Sequence, residues 1–543
     1  MIYWYSNWNP SSMKNLFSLL IVFISAFCFA QNEFHVFPID GNSTKGTAEG
    51  NGSINNPWDL QTALSQSTER INGGDIIWLH QGVYTGSYKS SIHSTIKNKK
   101  IIVSSYLNEK VILNGNIGKK AHSVLEVNGG NVIFKNFEIT YLGEFSRSKS
   151  DKNFNVATGI SHLKGEDCEF RNLVIHNIPG SGIGSWKATG GTIIQDCVIY
   201  NNGYNDSRGH GVGIYIQNQS DKTRLINNNL IFNNYYKGIE VWSASSGSKF
   251  EFVKNIALTN NTIFNNGSPS AKYVDNLIIA SKDAEGINVA KHIKVLDNVL
   301  YHNVDFNDSK NYGHGASLTL GYSANSPIED VLVENNLIFG KNNALNISQV
   351  KSIVFKNNMV YAGYVHYNPS VISGLESRGI NMNNNSYYTR KFNGFRINKK
   401  RDYKLKDWQE TYNIEAKSEL KQLKDFKEQT IIKIQKLQDN SSHFNVSILS
   451  KGINNVHVDF KELELIENMT YRIYDIENRT IVAKSGVISD DFKIEFPLSL
   501  THFEKPLHNS TATKSANNFG VFRVEFSKPE KKSFFKRLFS WLF

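Results

Sequence analysis

The sequence predicts an all-β protein with a solenoid architecture, a parallel β-helix in which short strands stack coil upon coil. The first observation is a recurring phrase, an asparagine followed by apolar or aromatic residues and closed by an asparagine or a small residue. Successive copies start between 22 and 38 residues apart, which indicates a constant unit with loops of different length. The copies are residues 172–177, 197–201 (with cysteine in first place), 229–233, 261–265, 298–303, 336–340 and 358–362.

The second observation is a glycine followed by alternating apolar and polar residues, as in 159–160, 213–216, 238–241 and 286–289. Alternation of this kind is typical of short strands, and no period of 3.6 residues indicates helices in this region. In stacked coils, equivalent residues lie about 4.8 Å apart, so the repeated asparagine side chains can hydrogen-bond to one another in a ladder. The asparagines are therefore predicted to belong to the scaffold, and none is a candidate catalytic residue.

The N-terminal part of the chain predicts a leader followed by a cap. Although a retained membrane helix is the alternative, residues 1–30 contain an apolar run from Leu16 to Ala30 that is too short to span a membrane, and the small Cys28 lies two positions before Ala30, after which cleavage is expected. We therefore expect a secreted, periplasmic or cell-surface protein. Residues 31–115 are predicted to form an N-terminal cap and the first coils, with a short helix that starts at Asp59 and covers the open end.

The remaining chain divides by its pattern. Residues 116–403 carry the repeats and form the β-helix proper, whereas 404–442 are predicted to be a linker with helical pieces. Alternation without the asparagine phrase returns in 443–527 and predicts a small C-terminal β-sandwich. Residues 528–543 form a basic amphipathic tail that is able to lie on an anionic membrane surface, or to dock on the folded domains.

Charge and cysteine content restrict the partners. The formal net charge of +11 is concentrated in residues 390–406 and in the tail, so the body of the chain is nearly neutral, and a nucleic-acid partner is not indicated. Cys168 and Cys197 occupy different positions in their coils, so no disulfide between them is expected. We expect a monomer whose stability depends on its apolar core.

Four segments carry a family resemblance: residues 52–58, 74–78 with 82–84, 209–218, and the coil repeat. In these segments the chain resembles the pectate-lyase-like superfamily of secreted bacterial right-handed parallel β-helix proteins. Some members of that superfamily carry a C-terminal β-sandwich. The resemblance implies the fold and a polysaccharide partner. It does not imply one reaction, because the superfamily includes polysaccharide lyases, glycoside hydrolases, uronan epimerases and proteins without known catalysis.

The resemblance implies that substrate lies along one outer face of the helix. Because side chains alternate along a strand, Ile214 and Ile216 are expected to point inward. The side chains between them and at equivalent positions would point outward and form a polar stripe. The outward residues are Tyr215, Gln217, Glu240, Trp242, Asn288, Ser317 and Thr319, and the loops before these strands contribute Arg208, His210, Lys237, Glu285 and His314.

A lyase that acts on a uronic acid must neutralise a carboxylate, remove the neighbouring proton and protonate the leaving oxygen. Candidates for the first step are Arg208, Lys237 and Lys282, for the second His210 or Lys237, and for the third Tyr215. Glu240 completes the candidate catalytic set. The candidate substrate-binding residues are Gln217, Trp242, Lys282, Asp283, Glu285 and His314.

Three functional classes stay open. A uronic-acid polysaccharide lyase is the leading hypothesis, and an epimerase would use the same face. A hydrolase needs paired carboxylates; residues 283–286 and 313–315 loosely resemble polygalacturonase motifs, but the paired aspartates and the Arg-x-Lys are not where that pattern requires them. A non-catalytic carbohydrate-binding protein needs only outward Tyr and Trp. Calcium stays open as a cofactor, because Asp283 and Glu285 are close in sequence without further converging carboxylates, and no metal ligands are predicted.

Overall fold

Three long sheets form the body of the protein, a right-handed parallel β-helix. This computed structural model describes residues 31–528 except 42–43, 119, 245–246, 248, 309–310, 376–378, 427–429, 451–452, 464, 466, 510 and 516–517. The leader 1–30 and the tail 529–543 lie outside the described residues. Each coil contributes one strand to a first, a second and a third sheet in turn, which confirms the predicted fold class.

Each of the three sheets has twelve strands. All neighbours are parallel except the last pair of the third sheet. The first sheet comprises Glu33–Val36, Ile76–Leu79, Ile101–Ser105, Val132–Lys135, Glu169–Arg171, Ile193–Gln195, Arg224–Asn227, Lys254–Thr259, Lys291–Leu296, Glu329–Glu334, Ile353–Lys356 and Ile380–Asn383. The second comprises Gly82–Thr85, Val111–Asn114, Glu138–Thr140, Val174–His176, Val198–Tyr200, Leu230–Phe232, Thr262–Phe264, Val299–Tyr301, Leu337–Phe339, Met359–Ala362, Ser386–Thr389 and Glu419–Gln422. The third comprises Tyr88–Ser90, Ser123–Val127, Thr158–His162, Ile183–Ser185, Ile214–Ile216, Ile239–Ser243, Leu277–Ser281, Leu318–Leu320, Leu345–Ile347, Val365–Tyr367, Phe395–Ile397 and Arg401–Tyr403.

In the part of the chain that the structure describes, three short α-helices accompany the sheets: Leu60–Leu64, Pro369–Leu375 and Leu405–Tyr412. The first is the predicted cap helix. Asp59 accepts a hydrogen bond from the backbone N–H of Thr62 at 2.9 Å and so caps its N-terminus, while Leu60, Ala63 and Leu64 are buried. Short 3₁₀ turns occur at Ser268–Ser270, Asn311–His314, Leu423–Phe426 and Ile476–Asn478.

The asparagine ladder is confirmed. The backbone N–H and the side-chain amide of Asn229 both donate to Oδ1 of Asn261, at 3.1 and 2.9 Å, and Asn261 donates in the same way to Asn298. The ladder continues through Asn336, Asn358 and Asn385. Asn172 does not occupy a ladder position. It lies in the left-handed backbone region at φ 47°, and Leu173 takes the position that Cys197 occupies in the next coil.

Both cysteines of the described chain, Cys168 and Cys197, are buried free thiols in the apolar core. The backbone N–H of Cys197 donates to Oδ1 of Asn229 at 3.0 Å, so this residue begins the ladder. Burial raises the pKa of each thiol to about 12, which keeps both in the unreactive protonated form.

The C-terminal β-domain consists of two antiparallel sheets around one apolar core. The five-stranded sheet has the order Thr430–Lys436, His443–Ser450, Phe519–Ser527, Thr470–Asp475 and Val482–Val487, and the two-stranded sheet pairs Asn455–Asp459 with Lys493–Pro497. The predicted linker 404–442 does not connect two separate bodies. Its residues form a helix, the last strand of the second sheet (Glu419–Gln422) and the first strand of the C-terminal β-domain. The two strands form because Ser386–Thr389 and His443–Ser450 each offer a hydrogen-bonding edge.

The C-terminal β-domain packs against the outer face of the second sheet. In the recurring phrase the middle apolar residue points into the coil, whereas its neighbours point outward and form a row of stacked rings, including Tyr200, Phe232 and Phe264 at centroid distances of 4.9 and 4.8 Å. Phe519 covers this row and stacks on Tyr301 at 4.0 Å. The middle strands of the second sheet are therefore buried on both faces, whereas the third sheet has an outer face on which a site can form.

Candidate functional site

Strand register places one residue of each coil in a row on the outer face of the third sheet. Tyr215 pairs with Glu240, Glu240 with Ile278, Ile278 with Thr319 and Thr319 with Asn346. Neighbouring residues of such a row are about 4.8 Å apart. The inward orientation of Ile214 and Ile216, with Tyr215 between them, is confirmed.

A groove of about 680 Å³ runs over this row. Its volume lies in the range of about 300 to 1,000 Å³ that ligand sites occupy. Aromatic side chains form much of its wall: the Trp186 ring lies 5.2 Å from Tyr215, and the Trp242 ring contacts Tyr322 edge-on at 5.1 Å. Tyr236 lies beside the groove, 5.0 Å below the ammonium of Lys237. Rings of this size give the groove large rigid apolar surfaces.

A cluster of three charged residues lies in the groove. The ammonium of Lys237 is 2.6 Å from Oε1 of Glu240 and 3.9 Å from Oδ2 of Asp275, and Thr319 donates a hydrogen bond of 2.6 Å to Oδ1 of Asp275. Burial by itself lowers the pKa of Lys237, but the two carboxylates outweigh burial and hold that pKa above its ordinary value. This raised pKa favours the ammonium form of Lys237, which suits its predicted role as a cation better than its predicted role as a base.

Asp275 has the opposite tendency. Burial raises its pKa, and this effect exceeds the lowering by Lys237 and by the hydrogen bond from Thr319. A carboxyl group of this kind can hold a proton at a pH where an ordinary aspartate has lost it. The Lys237–Glu240–Asp275 cluster thus combines a permanent cation with a carboxyl that is able to donate a proton.

Tyr215 stands next to this cluster in the same row. Burial and then the nearby Glu240 raise the pKa of Tyr215 to about 12, against the effect of a 2.9 Å hydrogen bond that the Gln217 amide donates to the phenol oxygen. The phenol is therefore neutral at physiological pH and has a proton to give. Gln217 is buried and orients this phenol instead of facing the open groove.

His210 lines the groove from the loop before the Tyr215 strand, and its side chain is exposed. Arg208, two residues earlier, is also exposed but does not line the groove. Of the five candidate catalytic residues, the fold thus brings His210, Tyr215, Lys237 and Glu240 together, and Trp242 joins them from the candidate binding set.

The other candidate binding residues lie away from the groove. Lys282 and Glu285 are exposed on the loop after strand Leu277–Ser281, and His314 ends the 3₁₀ turn Asn311–His314, where its ring contacts Tyr273. Asp283 is buried and accepts hydrogen bonds from the backbone N–H groups of Glu285, Ile287 and Asn288. This carboxylate thus closes a turn of its own loop, away from the groove, and its contact with substrate stays a prediction.

Residues 286–289 of the same loop do not form the strand of the third sheet that the sequence predicts. The glycine-apolar pattern of residues 286–289 suggested a strand with Asn288 facing outward, but Asn288 is buried and its amide donates to Oγ of Ser243. Ser317 is likewise buried. The strand of this coil is Leu277–Ser281, and Asn276 precedes it at the position that Gly213 and Gly238 occupy in the two preceding coils. Asp275 lies two residues before that strand, as Lys237 does in the preceding coil, and this spacing is the signal that could have identified it.

Trp186 depends on a fully buried arginine for its position. Arg224 donates hydrogen bonds to the carbonyl oxygens of Ser185 and Trp186, at 3.0 and 3.3 Å, and also to that of Thr189. These contacts fix the turn that carries the Trp186 ring at the groove.

In the described part of the chain, no helix is long and apolar enough to cross a membrane. The same residues contain no group of three or more histidine, cysteine, aspartate or glutamate side chains that could hold a metal ion. Asp283 and Glu285 thus gain no further carboxylate among these residues.

No protein-family model matches the chain, and no curated protein matches it by sequence. Solved structures with similar folds include the pectate lyase Pel9A, with 16% identity over 69% of this chain and 79% of that one, at a TM-score of 0.41. An alginate lyase from a Paenibacillus species shares 16% identity over 61% of this chain and 92% of its own, at a TM-score of 0.35. A tailspike of Acinetobacter baumannii bacteriophage Fri1, described as a capsular polysaccharide depolymerase, shares 11% identity over 91% of this chain and 86% of its own, at a TM-score of 0.42. With its three twelve-stranded sheets, the chain is a right-handed parallel β-helix protein with a C-terminal antiparallel β-domain.

Proposed function

We propose that the protein is a secreted carbohydrate-active enzyme that cleaves a polysaccharide bound along the groove, by elimination next to a uronic acid residue. The observation that carries the proposal is the neutral phenol of Tyr215, which lies in one groove with His210 and with the permanently charged Lys237. An extended groove with aromatic walls suits a polymer, since the apolar faces of sugar rings can pack on Trp186, Trp242 and Tyr322.

In elimination, a base removes the proton from the carbon next to the uronate carboxylate. The electrons of that C–H bond form a carbon–carbon double bond, and the glycosidic C–O bond breaks. His210 would take the proton, the ammonium of Lys237 would stabilise the negative charge that builds up on the carboxylate, and Tyr215 would give its proton to the leaving oxygen. Glu240 would hold the ammonium in place through their 2.6 Å contact.

A second candidate is hydrolysis, which one specific observation favours. Glu240 and Asp275 both contact the Lys237 ammonium, so the two carboxylate oxygens involved can be no farther apart than the sum of 2.6 and 3.9 Å. That limit is compatible with the separation of about 5 to 5.5 Å between the carboxyl groups of retaining glycosidases. Asp275, with its raised pKa, would be the acid and Glu240 the nucleophile.

The products distinguish the two reactions. Purified protein is incubated with a panel of uronic-acid polysaccharides, such as polygalacturonate, alginate and hyaluronan, and with neutral polymers. Elimination creates an unsaturated sugar whose conjugated double bond absorbs ultraviolet light, whereas hydrolysis creates reducing ends without that absorbance. Cleavage of no polymer would overturn both reactions, and polymer retention on an affinity gel would then indicate a binding protein.

Two matched substitutions assign the chemistry. We expect Tyr215→Phe to lower elimination at least about a hundredfold, because it removes only the proton donor. Tyr273→Phe, at an exposed tyrosine outside the groove, is its control. Asp275→Asn should abolish hydrolysis, with Asp221→Asn, whose side chain is exposed, as the matched control. A fully active Tyr215→Phe protein would refute the elimination mechanism.

The proposed enzyme would act after export from the cytoplasm. A polysaccharide that is too large to enter the cell has to be cleaved outside it, and the apolar leader 1–30 would supply the export signal. N-terminal sequencing of the mature protein from culture medium, periplasm and membrane fractions tests this, with residue 31 expected at the N-terminus. Only uncleaved chain in the cytoplasmic fraction would contradict it.

A further inference from the structure

A second cavity lies between the β-helix and the C-terminal β-domain, on the second sheet and hence on a different face from the groove. Its volume is about 410 Å³, again in the range of ligand sites. Phe137, Val174 and Val198 of the helix side and Ile476 of the C-terminal side give it an apolar floor. Its polar lining includes two arginines from the C-terminal β-domain, Arg479 and Arg523.

Among the described residues, neither arginine forms an ion pair, although Asp196 and Glu525 attract Arg523 and Glu138 attracts Arg479 from a greater distance. Within the described part of the chain, no carboxylate lies within 4.0 Å of either guanidinium. Nε of Arg523 donates to Oδ1 of Asn445 at 2.8 Å, and its buried Nη2 has no hydrogen-bond partner among these residues. Arg479 lies 5.9 Å from the centre of the Tyr200 ring. Burial and then the charge of Arg479 lower the pKa of Arg523 to about 10, which indicates that two like charges share this space.

The acidic residues of the cavity are bound elsewhere or too distant. Glu138 accepts a 2.9 Å hydrogen bond from His176, and Glu109 contacts His80 at 3.2 Å and the backbone N–H of Gln81 at 2.7 Å. Glu525 attracts Arg523 but stays beyond ion-pair distance. Arg479 hydrogen-bonds the Tyr200 phenol, but neither guanidinium forms an ion pair among the described residues, and the buried Nη2 of Arg523 is left without a partner there. Such groups normally bind an anion.

We infer that this interdomain cavity binds a small ligand of monosaccharide size that carries an oxyanion group, a carboxylate or a phosphate. The oxyanion lies between Arg479 and Arg523, where guanidinium groups form charge-assisted hydrogen bonds. The ring of the ligand rests on the apolar floor, and the side-chain amides of Asn136 and Asn172, which also line the cavity, face its hydroxyl groups. Since both domains contribute to the cavity, the bound ligand also strengthens their contact.

The test uses the full-length protein, calorimetric titration and three probes: glucuronate, inorganic phosphate and neutral glucose. We expect glucuronate to bind, to raise the melting temperature as any ligand of the native state does, and to lose at least about tenfold in affinity in Arg479→Gln. Equal binding of phosphate would identify a general oxyanion site, and preference for glucuronate would identify a sugar-acid site; both support the inference.

Arg401→Gln, at an exposed arginine on the last strand of the third sheet, is the matched control and should bind like the wild type. Arg523→Gln serves as a second variant if it melts near the wild-type temperature. The inference is overturned if neither anion binds, if glucose binds as tightly as glucuronate, or if Arg479→Gln retains full affinity. None of these results depends on cleavage activity in the groove.

Discussion

Replacing Asn261 with leucine tests whether the asparagine ladder stabilises the β-helix. Asn261 is fully buried, and its Oδ1 accepts two hydrogen bonds from Asn229, one from the backbone N–H and one from the side-chain amide. Leucine has nearly the same shape but no polar atom, so the backbone N–H of Asn229 and one of its two side-chain N–H groups lose their acceptor, while the other keeps its bond to the carbonyl of Ile194. A buried donor without a partner costs about 1 to 3 kcal/mol. We therefore expect the free energy of unfolding to fall by about 2 to 6 kcal/mol, a large part of the roughly 5 to 15 kcal/mol of a typical domain.

The assay is urea denaturation followed by circular dichroism, with Asn381→Leu as a matched control. Asn381 is exposed on the last strand of the first sheet and lies outside the ladder. The control should unfold close to the wild-type urea concentration. Because Asn261 belongs to the second-sheet side of the coil and not to the groove, the folded fraction of Asn261→Leu should keep its activity. Loss of turnover with an unaltered denaturation curve would refute the structural interpretation of the ladder.

Three further predictions concern the groove, the C-terminal end of the ladder and the tail. His210→Ala should lower turnover at least about a hundredfold without changing the melting temperature, because His210 is exposed; an active variant would move the search for the base to another residue. Glu415 is buried at the end of the ladder, where it accepts hydrogen bonds from Asn385 and Tyr387, and burial raises its pKa above the ordinary 4.5. The folded state therefore holds this proton more tightly than the unfolded chain does, and stability should fall as pH rises from about 4.5 through the raised pKa. Glu415→Gln should flatten this part of the pH profile, measured by thermal melting. Deletion of the chain after Ser527 should release the protein from anionic vesicles in a sedimentation assay and leave its melting temperature within about two degrees; a sharply lower temperature with unchanged vesicle binding would instead make the tail part of the fold.

The sequence was sufficient for the fold because a solenoid repeats the same local requirements in every coil. The ladder position, the inward isoleucines and the Asp59-capped entry helix each follow from neighbours in the chain or from the same residue one coil away. The outward orientation of Tyr215 and Glu240 follows for the same reason, since alternation along a strand fixes the face on which a side chain stands. These features could be predicted without knowledge of any distant contact.

Only the tertiary structure determined which polar residues meet. Loops of unequal length separate the coils, so distance along the chain does not show that Asp275 joins Lys237, or that Asp283 turns back onto its own loop. The assignment of residues 404–442 to both domains, and the cavity with Arg479 and Arg523, likewise arise from packing between segments that are far apart in sequence. The local pattern of the chain thus determined the coil and its faces. The register of the stacked coils brought the charged groups of the groove together, and the docking of the C-terminal β-domain brought together those of the interdomain cavity.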